Sequence, residues 1–420
     1  MSKLSFPDGF FWGAATAAHQ VEGGMHNDWS EWEKKNAERL ARASEASFTW
    51  NPHWQKFRAE ATNPNNYISG AACEHYRRFT EDFDLAQSLH HNAHRFSIEW
   101  ARIEPTEGVF DEHEIEHYQE VIRALRERGI EPFVTLLHFT LPLWLAEQGG
   151  VQSRAFPQLF ARYAEKVVQA LGADVRFWIT INEPDVYAGG AYLKGIWPPM
   201  HRNLFSFFSA QKKQAEAHRL AYTAIKKISP QAQVGIAKHN IWFEAARNAP
   251  INRLLKKLAD SVWNEWFLRK IVAHQDFIGV NHYHHHLIDW GYNKNRNEIQ
   301  TDFGWEYYPE SLYHVLSELK HYGKPLYVTE NGLADASDTL RQKFIPAALS
   351  ALHRAIADGA DVRGYLYWSL LDNFEWDKGF FLRFGLIAVD RTTQAHTIRP
   401  SALAYAQVCQ QNALETNVLY

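Results

Sequence analysis

The stretch Phe177-Trp178-Ile179-Thr180-Ile181-Asn182-Glu183-Pro184 sets a near-continuous apolar run against an abrupt polar end. A strand covered on both faces reads as such a run, and strands of that kind belong to parallel sheets. Seven further runs share the make-up: Phe10 to Thr16, Ala93 to Trp100, Glu131 to His138, Gln233 to Asn240, Phe277 to Tyr283, Pro325 to Asn331 and Gly364 to Leu371. Helical spacing lies between them. Ile115, Tyr118, Val121, Ile122 and Leu125 recur after Asp111, and Phe160, Tyr163, Val167 and Leu171 recur before Phe177. Eight strands alternating with helices imply right-handed crossovers and predict an α/β fold, a single (β/α)8 TIM barrel forming one catalytic domain over residues 1–420. An open doubly wound sheet would carry a Gly-rich phosphate turn after an early strand, and no G-x-G-x-x-G or G-x-x-x-x-G-K occurs. The Ala-, Asn- and Pro-rich stretch from Asn36 to Ser69 reads as a long loop inserted between the first two strands.

Composition narrows the partners. A hydrophobic fraction of 46% and a charged fraction of 22% over 420 residues are ordinary for a globular chain with a large core. A net charge of −4 supplies no basic stripe for nucleic acid and no polybasic segment for anionic lipid. No apolar run reaches the roughly 18 to 20 residues that span a bilayer, since even Phe133 to Ala146 is broken by His138, Thr140 and Pro142. Two cysteines, Cys73 and Cys409, cannot build a disulfide framework. The expectation is a soluble, cytoplasmic protein, with a homo-oligomer left open. Sixteen tryptophans and 14% aromatics serve a core or the C–H faces of sugar rings equally well.

In a parallel barrel the reacting groups belong at the C-terminal ends of the strands. The first run leads to Gln20, the second carries Arg95, the third ends on His138, and the fourth on Asn182 and Glu183. The sixth ends on Asn281 and Tyr283, the seventh on Glu330 and Asn331, and the eighth on Trp368, with Glu375 and Trp376 just beyond. A glutamate emerging from an apolar strand is costly to bury. Two of them facing one another across a barrel mouth would push their proton affinities apart and leave one acid and one carboxylate, which is what glycoside hydrolysis requires. Arg95 fits a buried structural partner and equally a cation that keeps a nucleophile ionised.

At these residues the sequence resembles glycoside hydrolase family 1, from about Phe6 to Asp390. Phe10-Phe11-Trp12-Gly13-Ala14-Ala15-Thr16-Ala17-Ala18-His19-Gln20-Val21-Glu22-Gly23 is similar to the family's opening signature. Thr180-Ile181-Asn182-Glu183-Pro184 resembles its acid/base motif, Tyr327-Val328-Thr329-Glu330-Asn331-Gly332 its nucleophile motif, and Trp368-Ser369-Leu370-Leu371-Asp372-Asn373-Phe374-Glu375-Trp376 its sugar-binding segment. The resemblance implies a β-glucosidase-like retaining enzyme, with Glu330 as nucleophile, Glu183 as acid and then base, and Asn182 on the sugar 2-hydroxyl. It further implies that Gln20, His138, Glu375 and Trp376 hold the other hydroxyls, that Trp368 forms the floor, and that Tyr283 and Arg95 tune Glu330. Trp305 looks like the tryptophan that stacks on the leaving group. Small β-glucosides and short β-linked oligosaccharides are the implied substrates, with β-galactosides and β-fucosides also accepted, and no cofactor or metal is called for. Phospho-sugar members replace the Glu-Trp pair after strand eight, and thioglucosidases lack the acid glutamate, whereas Glu375, Trp376 and Glu183 all stand here. The sequence departs from the family's pattern at the histidine-rich Asn281-His282-Tyr283-His284-His285-His286 and at Met200, where glycine is common; both fall toward the aglycone side.

Other readings weigh less. His113-Glu114-Ile115-Glu116-His117 matches the H-E-x-x-H zinc pattern, but both histidines lie off the apolar stripe and no third ligand follows. His284 to His286 reads as an adaptable polar loop surface rather than a metal site. A sugar-binding protein on an inactive barrel would lack a catalytic carboxylate, and both are present. A transglycosylase would use the same two glutamates.

Overall fold

The computed structural model describes residues 3–415. Eight strands, numbered here along the barrel, are β1 (Phe11–Ala15), β2 (Ala93–Ser97), β3 (Glu131–Leu137), β4 (Phe177–Asn182), β5 (Gln233–His239), β6 (Phe277–Asn281), β7 (Leu326–Asn331) and β8 (Val362–Trp368). They close into one barrel in sequence order, every pairing parallel, with β8 against β1 sealing the ring. The expected (β/α)8 architecture is therefore present, and the eight predicted runs are its strands. The ends differ by a few residues: β2 stops at Ser97 and a short helix (Trp100–Ile103) begins, while β8 starts at Val362 and stops at Trp368.

Residue choice explains the closure. Inward side chains at the N-terminal end, Phe133, Phe177, Phe277 and Tyr327 among them, fill the lumen as one aromatic plug, with Phe133 and Phe177 stacked at 4.2 Å between centroids. Outward positions such as Trp12 and Trp178 meet the surrounding helices and are fully buried. Each such aromatic contributes about 2 to 3 kcal/mol of apolar burial. Gly13 is required where β1 passes β2, because a Cβ there would stand 1.7 Å from the Ala93 carbonyl oxygen. The two amphipathic patterns read from sequence form the helices Glu112–Glu127 and Phe156–Leu171, both packed on the barrel through the predicted stripes.

The segment after β1 corrects the sequence reading. Asn36 to Ser69 is not a loop: helices Asp28–Phe48 and Trp54–Ala61 and a 3-10 turn at Pro64–Tyr67 occupy it. Asn27 caps the first helix reciprocally with Ser30, and Trp29, Trp32, Ala37, Leu40, Ala41, Ser44 and Phe48 bury one face. Three of those seven are Ala or Ser, so the contrast with the exposed face is weak in sequence although the spacing is helical. The insertion supports the barrel mouth. Glu33 accepts hydrogen bonds from the Ser69 backbone (2.9 Å) and hydroxyl (2.8 Å) and pairs with His19 Nε2 at 2.6 Å.

Candidate active site

The two glutamates rise from β4 and β7, and at both places the ladder is irregular, with register shifts between Ile179 and Asn182 and between Val328 and Glu330. Such bulges re-aim side chains at strand ends. Glu183 itself has φ 42°, a left-handed backbone that costs a non-glycine residue about 1 to 2 kcal/mol. The turn is held by its amide donating to the Ala237 carbonyl at 2.8 Å, and it tips the carboxyl into the mouth before Pro184 opens the next helix.

A hydrogen-bonded chain joins the carboxyl groups. Asn281 Nδ2 donates to Glu183 Oε1 at 2.9 Å and to Asn182 Oδ1 at 3.1 Å. Arg95, fully buried on β2, donates to Asn182 Oδ1 at 2.6 Å, to Thr135 Oγ1 at 3.0 Å and to Glu330 Oε1. Tyr283 donates its hydroxyl to the other Glu330 oxygen at 2.5 Å. Glu330 thus has a cation on one oxygen and a phenol on the other, while Glu183 has a neutral amide. Burial pushes the Glu183 carboxyl well above the usual range, and the nearby charge of Glu330 pushes it further the same way. Desolvation is thus the larger cause and mutual repulsion the smaller. Tyr283 stays a phenol, since burial and then the Glu330 charge raise it well above its ordinary value.

The sugar-contacting candidates gather around this pair. Gln20 donates to the Phe374 carbonyl at 2.7 Å and to Asn373 Oδ1 at 3.2 Å, leaving its buried Oε1 without a partner among the described residues. His138 Nε2 accepts from Asn182 Nδ2 at 3.1 Å; burial, then Arg95, drives its pKa well below the ordinary value, so it is a neutral imidazole whose buried Nδ1–H has no partner among the described residues. One free acceptor and one free donor are what a polyhydroxylated ring needs. Trp368 and Trp376 both lie nearly parallel to the His138 ring, at 6.0 and 5.9 Å between centroids, and Trp376 rests on His19 at 5.5 Å. Glu375 is pushed up to about 8 by burial and then by the charges of Glu330 and Asp377. Gly332 has no room for a side chain, because its Cβ would fall 2.0 Å from the Trp368 carbonyl oxygen. Trp305 lies half-buried on the outer side, stacked on Phe303 at 3.9 Å and beside Tyr283 at 5.6 Å.

All ten candidates from sequence, with Arg95, therefore converge on one mouth. Two residues were not chosen in sequence although their strands pointed to them: Asn281, the direct partner of Glu183, and Thr329, whose hydroxyl donates to Asn281 Oδ1 at 2.7 Å and so fixes which way that amide faces. Polar ends on strands six and seven were the available signal. The histidine run differs from its expected character. His285 begins a short strand (His285–Ile288) paired with Trp242–Ala245 and is itself buried against Glu306, and His284 packs between His239 and Trp305 at 5.3 and 5.0 Å. It is a packed wall, not a loop surface, because strand alternation sends neighbouring rings to opposite sides. Of the other histidine pair, His113 is exposed as expected, whereas His117 is half-buried with its ring stacked on Tyr76 at 3.8 Å. Among the described residues no group of three or more His, Cys, Asp or Glu side chains is arranged to hold a metal ion. Nor, among them, is any helix long and apolar enough to cross a membrane.

A parallel barrel whose mouth sets a protonated glutamate against an arginine-held one, beside unpaired donors and acceptors for hydroxyls, is the layout of an enzyme that cleaves glycosidic bonds. The chain belongs to glycosyl hydrolase family 1, whose sequence model matches residues 2–277 and 268–414. It is similar to Beta-glucosidase A of Thermotoga maritima, at 32% identity over 99% of this chain and 100% of that protein. It is also similar to a Beta-galactosidase of Sulfolobus acidocaldarius, at 29% identity over 98% of this chain and 96% of that one. Among solved structures it superimposes on the beta-glycosidase from Pyrococcus horikoshii with TM-score 0.88 and 35% identity, covering 100% of this chain and 98% of the other. The Beta-glucosidase from Thermotoga maritima in complex with glucoimidazole gives TM-score 0.84 at 29% identity, covering 97% and 99%.

Proposed function

We propose that the protein is a retaining β-glycosidase, a β-glucosidase by preference that also takes β-galactosides and β-fucosides, acting on small glycosides and short β-linked oligosaccharides. The observation that carries this reading is the pairing of unequal carboxyls: Glu183 is buried, protonated and held by a neutral amide, whereas Glu330 is held by Arg95 and Tyr283. Glu330 attacks the anomeric carbon while Glu183 hands its proton to the departing oxygen; with Glu330 then esterified, its charge is gone and Glu183 is free to take a proton from water. Asn182, fixed by both Arg95 and Asn281, presents its amide at the place of the sugar 2-hydroxyl, where contacts strengthen in the transition state. Gln20, His138, Glu375 and Trp376 hold the remaining hydroxyls over Trp368, and Trp305 lies against the leaving group.

Glu375 favours an unphosphorylated sugar, since a glutamate at that position, protonated or ionised, offers a phosphate no positive charge. Both cysteines are free and buried, in keeping with a reducing, cytoplasmic setting. The test is hydrolysis of a panel of p-nitrophenyl β-glycosides with the first-formed anomer followed by proton NMR. Release of the β-anomer, abolished in Glu330→Ala, is expected; release of the α-anomer overturns the retaining reading.

A further inference from the structure

A charged pair lies sealed beneath the acid/base glutamate with no part in the steps above. Asp185, two residues past Glu183, and Lys238, on the neighbouring strand β5, are both wholly inaccessible, with Lys238 Nζ 3.2 Å from Asp185 Oδ1. Lys238 also donates to the His239 carbonyl. Asp185 has no other side-chain donor in reach among the described residues. The pair straddles the backbone contact that positions Glu183, because the Glu183 amide bonds the carbonyl of Ala237, next to Lys238.

A buried ion pair is an expensive way to pack two strands, and replacing such pairs by apolar residues is often neutral or stabilising. Its position gives it an electrostatic use. The charged or titratable groups around Glu183 are Glu330 from β7, Arg95 from β2, Tyr283 beyond β6, Lys238 from β5, and Asp185 on its own segment, with the neutral His239 beside Lys238. Without Asp185, the nearby fixed charges would be two cations and the nucleophile. We propose that Asp185 and Lys238 are positioning residues for Glu183: a balanced pair in which the Asp185 carboxylate keeps the acid protonated while Lys238 neutralises Asp185 and so permits both to be buried. This rests on the reading of Glu183 as the acid/base. Burial raises the Asp185 carboxyl and lowers the Lys238 ammonium from their ordinary values, each shift opposed by the partner's charge, and Asp185's charge adds to those that raise Glu183.

The pH profile of kcat/KM separates this from a packing role. In Asp185→Asn the lone Lys238 cation favours the ionised acid, and the basic limb moves to lower pH by about one unit, roughly tenfold less activity on that shoulder. Asp185→Ser removes the same charge with different packing and carries the same expectation if the asparagine variant does not fold. Adding Lys238→Met to either returns the limb toward the wild-type position. An unmoved limb in the Asp185 variant, or a shift that the second change does not reverse, overturns the proposal. Glu183→Ala, assayed on p-nitrophenyl β-glucoside beside the wild type on the same substrate, serves as the control. Loss of the basic limb there upholds Glu183 as the titrating acid, so that an unmoved Asp185 limb counts against the pair alone; persistence of the limb overturns the acid assignment and the pair with it.

Discussion

On the proposed mechanism, replacing Glu183 by alanine removes the proton source and little else. Burial and then the Glu330 charge hold the carboxyl toward its protonated form, so the whole contribution of a general acid is at stake there, roughly 3 to 5 kcal/mol or 10²- to 10⁴-fold in rate. What the fold loses is one hydrogen bond, from Asn281 Nδ2 at 2.9 Å, while the left-handed φ of 42° is no worse for alanine than for glutamate. Melting temperature therefore moves by no more than the equivalent of about 1 kcal/mol. The assay is kcat/KM on two substrates, cellobiose, whose leaving alcohol needs the proton, and 2,4-dinitrophenyl β-glucoside, whose leaving phenol does not. Since kcat/KM reports bond cleavage up to the glycosyl-enzyme, cellobiose should lose the full ~10²- to 10⁴-fold and the dinitrophenyl glucoside less than about tenfold. Equal losses on the two substrates would refute the reasoning.

Further outcomes follow from the same geometry. Tyr283→Phe strips the hydroxyl bonded to Glu330 at 2.5 Å and keeps the ring, so kcat/KM should fall about 10- to 100-fold with melting unchanged, measured on p-nitrophenyl β-glucoside. Arg95→Met leaves Glu330 and Asn182 without their shared donor inside a sealed barrel and should cost about 3 to 5 kcal/mol in urea unfolding. Asp28 is half-buried, and desolvation raises it to about 7, so its favourable contribution is complete below its unfolded value of 3.8 and is lost as pH climbs through about 7. Asp28→Asn retains an acceptor for the Leu141 amide (2.8 Å) and should melt above the wild type at pH 8 yet alongside it near pH 4, by calorimetry. Gly332→Ala drives a methyl into the Trp368 carbonyl, so soluble yield or kcat/KM on the same glucoside should collapse.

Much of this molecule was legible because its information is local. The eight strands are covered on both faces and so read as apolar runs, and the polar residues that end them fall at the barrel mouth by topology alone. The helices Glu112–Glu127 and Phe156–Leu171 announced themselves through large side chains on one stripe. The helix from Asp28 did not, since Ala37, Ala41 and Ser44 bury as completely as leucine would while reading as neutral. The site was legible as a set of residue types but not as a circuit. That Asn281 rather than an arginine holds Glu183, that Gln20 and His138 each keep one polar atom free, and that Lys238 turns back onto Asp185 all depend on side-chain directions between strands distant in sequence. The histidine run shows the converse, for composition suggested a polar surface where strand alternation made a wall.

Trapping the covalent intermediate tests the central claim most directly. Treated with 2,4-dinitrophenyl 2-deoxy-2-fluoro-β-glucoside, which slows both steps but the second more, the enzyme should inactivate with one equivalent of dinitrophenolate released. Peptide mass spectrometry should then place the fluoroglucosyl group on Glu330, with reactivation on adding a glycosyl acceptor. A label on another side chain, or continuous turnover with no label, would contradict double displacement through Glu330.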